Sequence, residues 1–206
     1  LTGLYPTWWK GKVYTKPVKI WAAGDTSKTT RDIIQEKLLG PVGEHGTGLI
    51  PKSTIIGTKP KAGIPDAVEI IRVKHVSGGT SVIQLKSYDQ RREAFQGTEQ
   101  DIIWLDEEPP MDIYTECLIR TMTTEGIIIL TFTPLMGISE VVQSFMDEEK
   151  SDTKFLLQAT WDDVPHLSQE QKDKLWASIP PFQRDARAKG IPQLGAGAIY
   201  PVDEDL

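Results

Sequence analysis

The segment DIIWLDEEPP, residues 101–110, runs four apolar residues into three consecutive acids and two prolines. Asp106 stands where a strand Ile102–Leu105 would end, and α/β proteins place their ligands beyond the carboxyl ends of parallel strands. A single carboxylate there suits Mg²⁺, which takes oxygen ligands and usually also touches substrate phosphates. Glu107 follows at once. In an extended segment its side chain points away from that of Asp106, so it need not share the ion. A second acid so placed can polarise an attacking water. A simpler reading stays open, because helices favour acids in their first turn. Glu107, Glu108 and Asp112 fit that reading as well, and Glu108 is read as a helix-start charge rather than a catalyst.

Four hydrophobic residues followed by Asp-Glu is the Walker B pattern of P-loop ATPases with a catalytic glutamate. A second apolar run, IIILTFTP, ends in Thr131 and Thr133. A small polar residue at the end of a neighbouring strand can sense a γ-phosphate, although threonine is also common in strands. The loop that should hold the phosphates, G-x-x-x-x-G-K-[ST] between strand and helix, does not occur in the sequence. Its nearest lookalike is AAGDTSKTT, which offers Lys28 and Thr29. Ala22 and Ser27 stand where the glycines belong, so the backbone cannot easily curl its N–H groups around a phosphate. We read it as a decoy.

These residues need elements to hold them. Val18–Ala23 reads as a buried strand, followed by a helix that Thr26 or Ser27 caps and that Gly40 and Pro41 end. Residues 41–66 read as a long excursion with one short strand near Ile55. VEIIRVKHVSGGTSVIQLKSYD reads as a β-hairpin with its turn at SGGT. A short helix is predicted over Asp89–Phe95, and another over MDIYTECLIRTM after the prolines. GIIILTFTP is predicted to be a third buried strand, a helix to run from about Ile138 to Glu149, and KFLLQATW to be a fourth strand. Strands alternating with helices imply a mostly parallel sheet with flanking helices. Beyond Trp161, Ser168 with Gln171 forms a capping box, and Pro180 and Pro181 divide two short helices. IPQLGAGAIYPVDEDL reads as a linker.

The bulk composition is that of a soluble globular chain: 206 residues, 39% hydrophobic and 25% charged. Apolar runs such as GIIIL are too short to span a bilayer, and residues 1–15 lack the apolar core of a signal peptide. One cysteine, Cys117, excludes an internal disulfide and fits a reducing compartment. A net charge of −6 argues against a surface built wholly for nucleic acid, while leaving room for a local basic track.

HVSGGTSVIQLKSYDQRREAFQGTEQDIIWLDEEPPMDIYTECL, LTFTPLMGISEVV and TWDDVPHLS together resemble the large terminase subunit of tailed bacteriophages or prophages. FQGTEQDIIWLDEEPP is the most specific piece, and YPTWWKG near the start is also similar. The resemblance implies an α/β, P-loop NTPase-like fold of the ASCE type whose P-loop strand and helix lie upstream of Leu1. It implies a partial ATPase domain over residues 1–161 and a helical linker over 162–206 that leads to a nuclease domain. In such a motor, Mg-dependent ATP hydrolysis drives double-stranded DNA into a procapsid. Asp106 would associate with the Mg²⁺, Glu107 would orient the water, Thr131 to Pro134, including Thr133, would couple, and Arg91 or Arg92 would be candidates for an arginine finger. Implied partners are the small terminase subunit, the portal protein and further copies in a ring, in the cytoplasm of a bacterial host and with no membrane. Without its P-loop the chain is expected to bind neither ATP nor Mg²⁺ tightly. KFLLQATW would lose its expected neighbour, so the chain would dimerise, rearrange that strand or lose stability.

Two other readings stand beside this one: a P-loop helicase or ATPase unrelated to packaging, and a non-enzymatic, decayed prophage module. His45, His75 and His166 lack metal-like spacing, and Cys117 reads as a small buried apolar group. Asp162 and Asp163 read as turn chemistry. Trp8 and Trp9 can stack on a base, but packing against the core is preferred. Lys10, Lys12, Lys16 and Lys19, and also Lys59, Lys61, Arg72 and Lys74, form loose basic stretches read as solvated surface.

Overall fold

The stretch KIWAAG forms strand β1 (Lys19–Gly24), and every residue after Lys19 is buried. Burial on both faces marks a central strand, and β1 lies fourth in a six-stranded sheet. The other strands are β2 (Ile55–Pro60), β3 (Val68–Lys74), β4 (Thr80–Ser87), β5 (Ile102–Asp106) and β6 (Ile127–Thr131), in the order β2-β3-β4-β1-β5-β6. β4, β1, β5 and β6 run parallel, while β2 and β3 pair antiparallel at one side. The structure, a computed structural model, describes residues 1–135, 138–146 and 153–192. It divides into two compact units, Leu1–Thr131 and Phe132–Leu206.

Alternation along β1 feeds two cores. Val18, Ile20 and Ala22 join Ile34, Leu38, Leu39, Ile71, Val73, Ile83 and Leu85 in one cluster. Trp21 instead meets Phe95 edge-on at 5.8 Å, and Phe95 lies 6.4 Å from Tyr88. The helix after β1 starts at α1 (Ser27–Thr29), passes through a π-helical stretch at Thr30–Gln35 and finishes as α2 (Glu36–Leu39). Thr26 caps it with a reciprocal box to Thr29. Gly40, at φ 97°, ends it in a conformation that L side chains rarely adopt.

The hairpin of β3 and β4 forms as the sequence predicts, and the short strand near Ile55 is β2, which extends the hairpin to a three-stranded meander. The predicted helix over Asp89–Phe95 is instead two 3₁₀ turns, Tyr88–Gln90 and Arg92–Phe95. Arg91 breaks them at φ 62° and ψ 174°. That region belongs essentially to glycine and costs a non-glycine residue about 1–3 kcal/mol. Pro110 opens α3 (Met111–Met122), which buries Ile113, Tyr114 and Cys117.

β6 corrects one expectation. Among the described residues it pairs only with β5, so it is an edge strand rather than a buried one, and Ile127 and Ile129 remain 39% and 46% exposed. KFLLQATW corrects another. Residues 154–160 form no strand, and Phe155 and Leu157 are 83% and 79% exposed. β-Propensity alone does not make a strand, because its backbone N–H and C=O groups need a ladder partner.

In the second unit, α4 (Glu140–Met146) starts near the predicted position, and the end predicted at Glu149 lies outside the described residues. Thr160 caps a 3₁₀ turn at Trp161–Asp163, so Asp162 and Asp163 are turn residues. Ser168 and Gln171 form their capping box on α5 (Gln169–Ser178), and α6 (Arg184–Lys189) follows the two prolines. The linker predicted from Ile191 lies, from residue 193 on, outside the described residues. Among the described residues no helix is long and apolar enough to cross a membrane.

Candidate functional site

The acids of DIIWLDEEPP fall at the carboxyl end of β5, and the register pairs Asp106 with Thr131 at the end of β6. Three side chains form a relay across the two strands. Trp104 Nε1 donates to Thr131 Oγ1 at 2.8 Å, and Thr131 Oγ1 donates to Asp106 Oδ1 at 2.6 Å. The indole thus fixes the hydroxyl proton on the carboxylate, and the hydroxyl orients the carboxylate through Oδ1.

Glu107 breaks from the extended conformation at φ 65°. Both of its backbone polar groups are pinned there. Its N–H donates to the Thr131 carbonyl at 2.8 Å, and its carbonyl accepts from Tyr88 Oη at 3.1 Å. Tyr88 Oη also lies 3.0 Å from the Asp106 carbonyl. Left-handed backbone in a glutamate is a cost that the surroundings over-determine, and such outliers concentrate at functional sites. The result is a side chain turned out of the strand and exposed.

The electrostatics follow from crowding. Partial burial, with Asp106, Glu108 and Asp25 nearby, pushes the Glu107 carboxyl above the ordinary glutamate range. Burial, and after it the charge of Asp106, pushes the Tyr88 phenol far up, so Tyr88 is a neutral donor at any physiological pH.

Glu108 departs from its expected role. α3 begins only at Met111 behind Pro110, so Glu108 lies outside its first turn, where Asp112 is the acid. Both Glu108 carboxylate oxygens are buried with no hydrogen-bond partner among the described residues. Thr133 falls in the second unit, and its carbonyl accepts from Leu135 N–H at 2.7 Å. Arg91 and Arg92 are exposed, and they line a cavity of about 280 Å³ with Tyr88, Pro110 and Asp112. Neither guanidinium forms an ion pair among the described residues.

In AAGDTSKTT the hydroxyls are engaged by the protein itself. Thr26 and Thr29 satisfy each other's backbone, and Ser27 Oγ lies 2.8 Å from both Ser87 Oγ and Lys61 Nζ. Among the described residues no three His, Cys, Asp or Glu side chains gather as a metal cluster. Cys117 is buried, and burial pushes its thiol up to about 12, so it is inert. Trp8 and Trp9 do not pack into the core; they are 72% and 44% exposed. Sequence reasoning missed Tyr88 and Trp104. Neither carries a motif, and both act through positions set by the register of β5 and by the turn after β4.

Comparison with known proteins gives the family of the chain. Residues 9–204 match the family described as terminase large subunit, T4likevirus-type, N-terminal. The large terminase subunit of Salmonella phage P22 is 40% identical over 211 aligned residues, which cover 98% of this chain and 42% of that protein. Among solved structures, the large terminase from a thermophilic bacteriophage superposes with a TM-score of 0.64 at 18% identity, over 92% of this chain and 44% of that one. The same terminase has also been solved in complex with ATP-gamma-S. The ATPase domain of the Thermus phage P74-26 large terminase gives a TM-score of 0.52 at 15% identity, over 84% of this chain and 76% of that domain. The chain belongs to the large terminase subunit family. It spans less than half the length of the P22 relative. Its α/β sheet is the fold of large terminase ATPase domains. Membership in this family favours the terminase reading over that of a packaging-unrelated helicase.

Proposed function

We propose that residues 1–161 form the carboxylate-bearing part of a viral DNA-packaging ATPase and that residues 162–206 lead on to its nuclease. The supporting observation is the Trp104–Thr131–Asp106 relay at the carboxyl rim, with Glu107 turned out beside it. A hard-oxygen set of one carboxylate and one hydroxyl suits Mg²⁺, whose remaining ligands come from water and phosphate oxygens. Asp106 would hold that ion, directly or through water. When bound, Mg²⁺ with ATP supplies neutralisation of the charge that develops on the transferred phosphoryl group.

The chain's own residues supply position. Glu107 orients a water and accepts its proton, and its raised proton affinity makes it a better base than an ordinary surface glutamate. Thr131 reports to Glu107 through one backbone hydrogen bond and to Asp106 through its hydroxyl, so a change at either acid is felt by β6. Thr133 continues this coupling segment. Arg91 or Arg92, on the strained turn, supplies the finger to a neighbouring copy. Partners are double-stranded DNA, the small terminase subunit and the portal protein, in a ring in the host cytoplasm.

ATP turnover by the longer protein, titrated with Mg²⁺, tests this reading. Asp106→Asn should raise the Mg²⁺ requirement and lower turnover at least ~100-fold, the usual scale for removing an electrostatic contact to a transition state. Wild-type turnover and Mg²⁺ dependence in that variant would contradict it.

A further inference from the structure

The first acid in the sequence is Asp25, so residues 1–24 carry Lys10, Lys12, Lys16 and Lys19 and no negative side chain, in a chain whose net charge is −6. The structure shows where this segment goes. Leu1 C=O accepts from Ser81 Oγ at 2.7 Å, Tyr14 Oη donates to the Asp101 carbonyl at 3.2 Å, and Lys12 Nζ donates to the Glu125 carbonyl. Ser81, Asp101 and Glu125 stand at or just before the starts of β4, β5 and β6. The segment is therefore a strap across the amino-terminal rim of the parallel strands. Asp106 and Thr131 lie at the other rim, roughly one strand length away, about 17 Å.

The strap holds its aromatic rings in a fixed arrangement. Trp9 N–H donates to the Pro6 carbonyl at 3.0 Å, and Trp9 Nε1 donates to the Lys12 carbonyl at 3.2 Å. Tyr5 Oη accepts from Tyr14 N–H at 2.7 Å, Tyr5 stacks on Trp9 at 6.0 Å, and Trp8 meets Trp9 edge-on at 6.3 Å. Trp8, outermost, stays 72% exposed. Two acids near the strap are engaged with Lys19: Glu99 pairs with it at 3.6 Å, and Asp101 Oδ2 accepts from its N–H at 2.8 Å. Lys10 and Lys16 are exposed and form no ion pair among the described residues.

We propose that this strap is a polynucleotide-binding surface, in which Trp8 stacks on an accessible base and Lys10 and Lys16 pair with the flanking phosphates. An exposed indole on a segment that carries exposed lysines and no acid supplies the stacking face and the positive charge that grip nucleic acid without reading its sequence. An interior base pair of a duplex offers no such face, so the ligand is a single-stranded segment or a duplex end. The surface deepens the packaging reading by naming where the chain touches nucleic acid, but it is separate from the carboxylate rim and needs no nucleotide.

The test is fluorescence anisotropy of labelled DNA with this chain at low salt. The probes are a short oligothymidylate, a blunt duplex, and the same duplex closed by hairpin loops at both ends. The proposal expects binding to the oligothymidylate, the blunt duplex or both, with quenching of tryptophan fluorescence, and weaker binding to the closed duplex. Which of the first two binds distinguishes a single strand from an end. Trp8→Ala should weaken binding by about ten-fold, and Trp8→Phe should restore most of it. Replacing Lys10 and Lys16 by Gln should flatten the slope of log affinity against log salt by roughly one to two. Trp8 lies outside the core, so Trp8→Ala keeps the fold, and a thermal melt checks this. Absence of DNA binding by the wild-type chain, or equal binding by Trp8→Ala, overturns the proposal. Either result leaves the ATPase reading untouched, because neither probe involves the carboxylate rim.

Discussion

The Glu107 N–H donates to the Thr131 carbonyl at 2.8 Å while Glu107 itself sits at φ 65°. The last hydrogen bond of the β5–β6 ladder thus fixes a left-handed residue at the mouth of the candidate site. The strain and the pairing are one feature, and they make the geometry testable without any nucleotide.

If the left-handed conformation is held by the fold, glycine should relieve it and alanine should not. Glu107→Gly is expected to be more stable than Glu107→Ala by about 1 kcal/mol. Urea denaturation of the two variants measures the difference. Arg91→Gly should likewise stabilise relative to Arg91→Ala, by about the same amount, because Arg91 occupies a region that is glycine territory.

The relay through Thr131 predicts a cost when its hydroxyl is removed. Thr131→Val leaves Trp104 Nε1 and Asp106 Oδ1 without their shared partner. The expected loss is about 1 kcal/mol, since the site is open to water and solvent recovers part of the bond. Thermal unfolding checks it, with Thr131→Ser retaining most of the stability.

Glu107 gives a pH dependence with a definite sign. Its folded carboxyl titrates above the ordinary value of 4.5 because of burial and the neighbouring Asp106, Glu108 and Asp25. A group with a raised folded pKa contributes stability that is fully present below its unfolded pKa and lost as pH rises through the folded one. Glu107→Gln should therefore match the wild type near pH 4 and become more stable than it above about pH 5. Stability curves of the two proteins across that range should diverge upward in pH; divergence in the other direction would show that Glu107 is held by favourable contacts.

The open side of β6 predicts self-association. Among the described residues its backbone pairs only with β5, and Ile127 and Ile129 are partly exposed beside it. Edges of this kind pair with other chains unless charge intervenes. Sedimentation of this chain should show mass rising with concentration, and Ile129→Lys should suppress the rise.

Much of the fold was legible because period and punctuation agree with it. The apolar run before Asp106, the SGGT turn and the Ser168 capping box each specify their element locally, and each forms where expected. The failures are those in which tertiary context decides. KFLLQATW has the composition of a strand, yet it has no ladder in the described structure. IIILT is as apolar as a central strand but lies at the edge. At the candidate site, Asp106 and Thr131 could be read from strand ends, and the register pairs them there. Tyr88 could not, because its contact with Glu107 spans 19 residues and depends on a turn broken by a strained arginine. Trp8 and Trp9 were misplaced for a related reason: hydrophobicity says that a ring prefers burial, and the strap offers no core to bury it in.

The most direct measurement of the account is single-turnover ATP hydrolysis by the longer protein, with nucleotide binding measured alongside. With Glu107→Gln, affinity for ATP should stay near wild type while the rate of the chemical step falls by roughly 100-fold to 10,000-fold, the range for losing a general base. A variant that hydrolyses ATP at the wild-type rate would contradict the assignment of Glu107, and with it the reading of this rim as the site of catalysis.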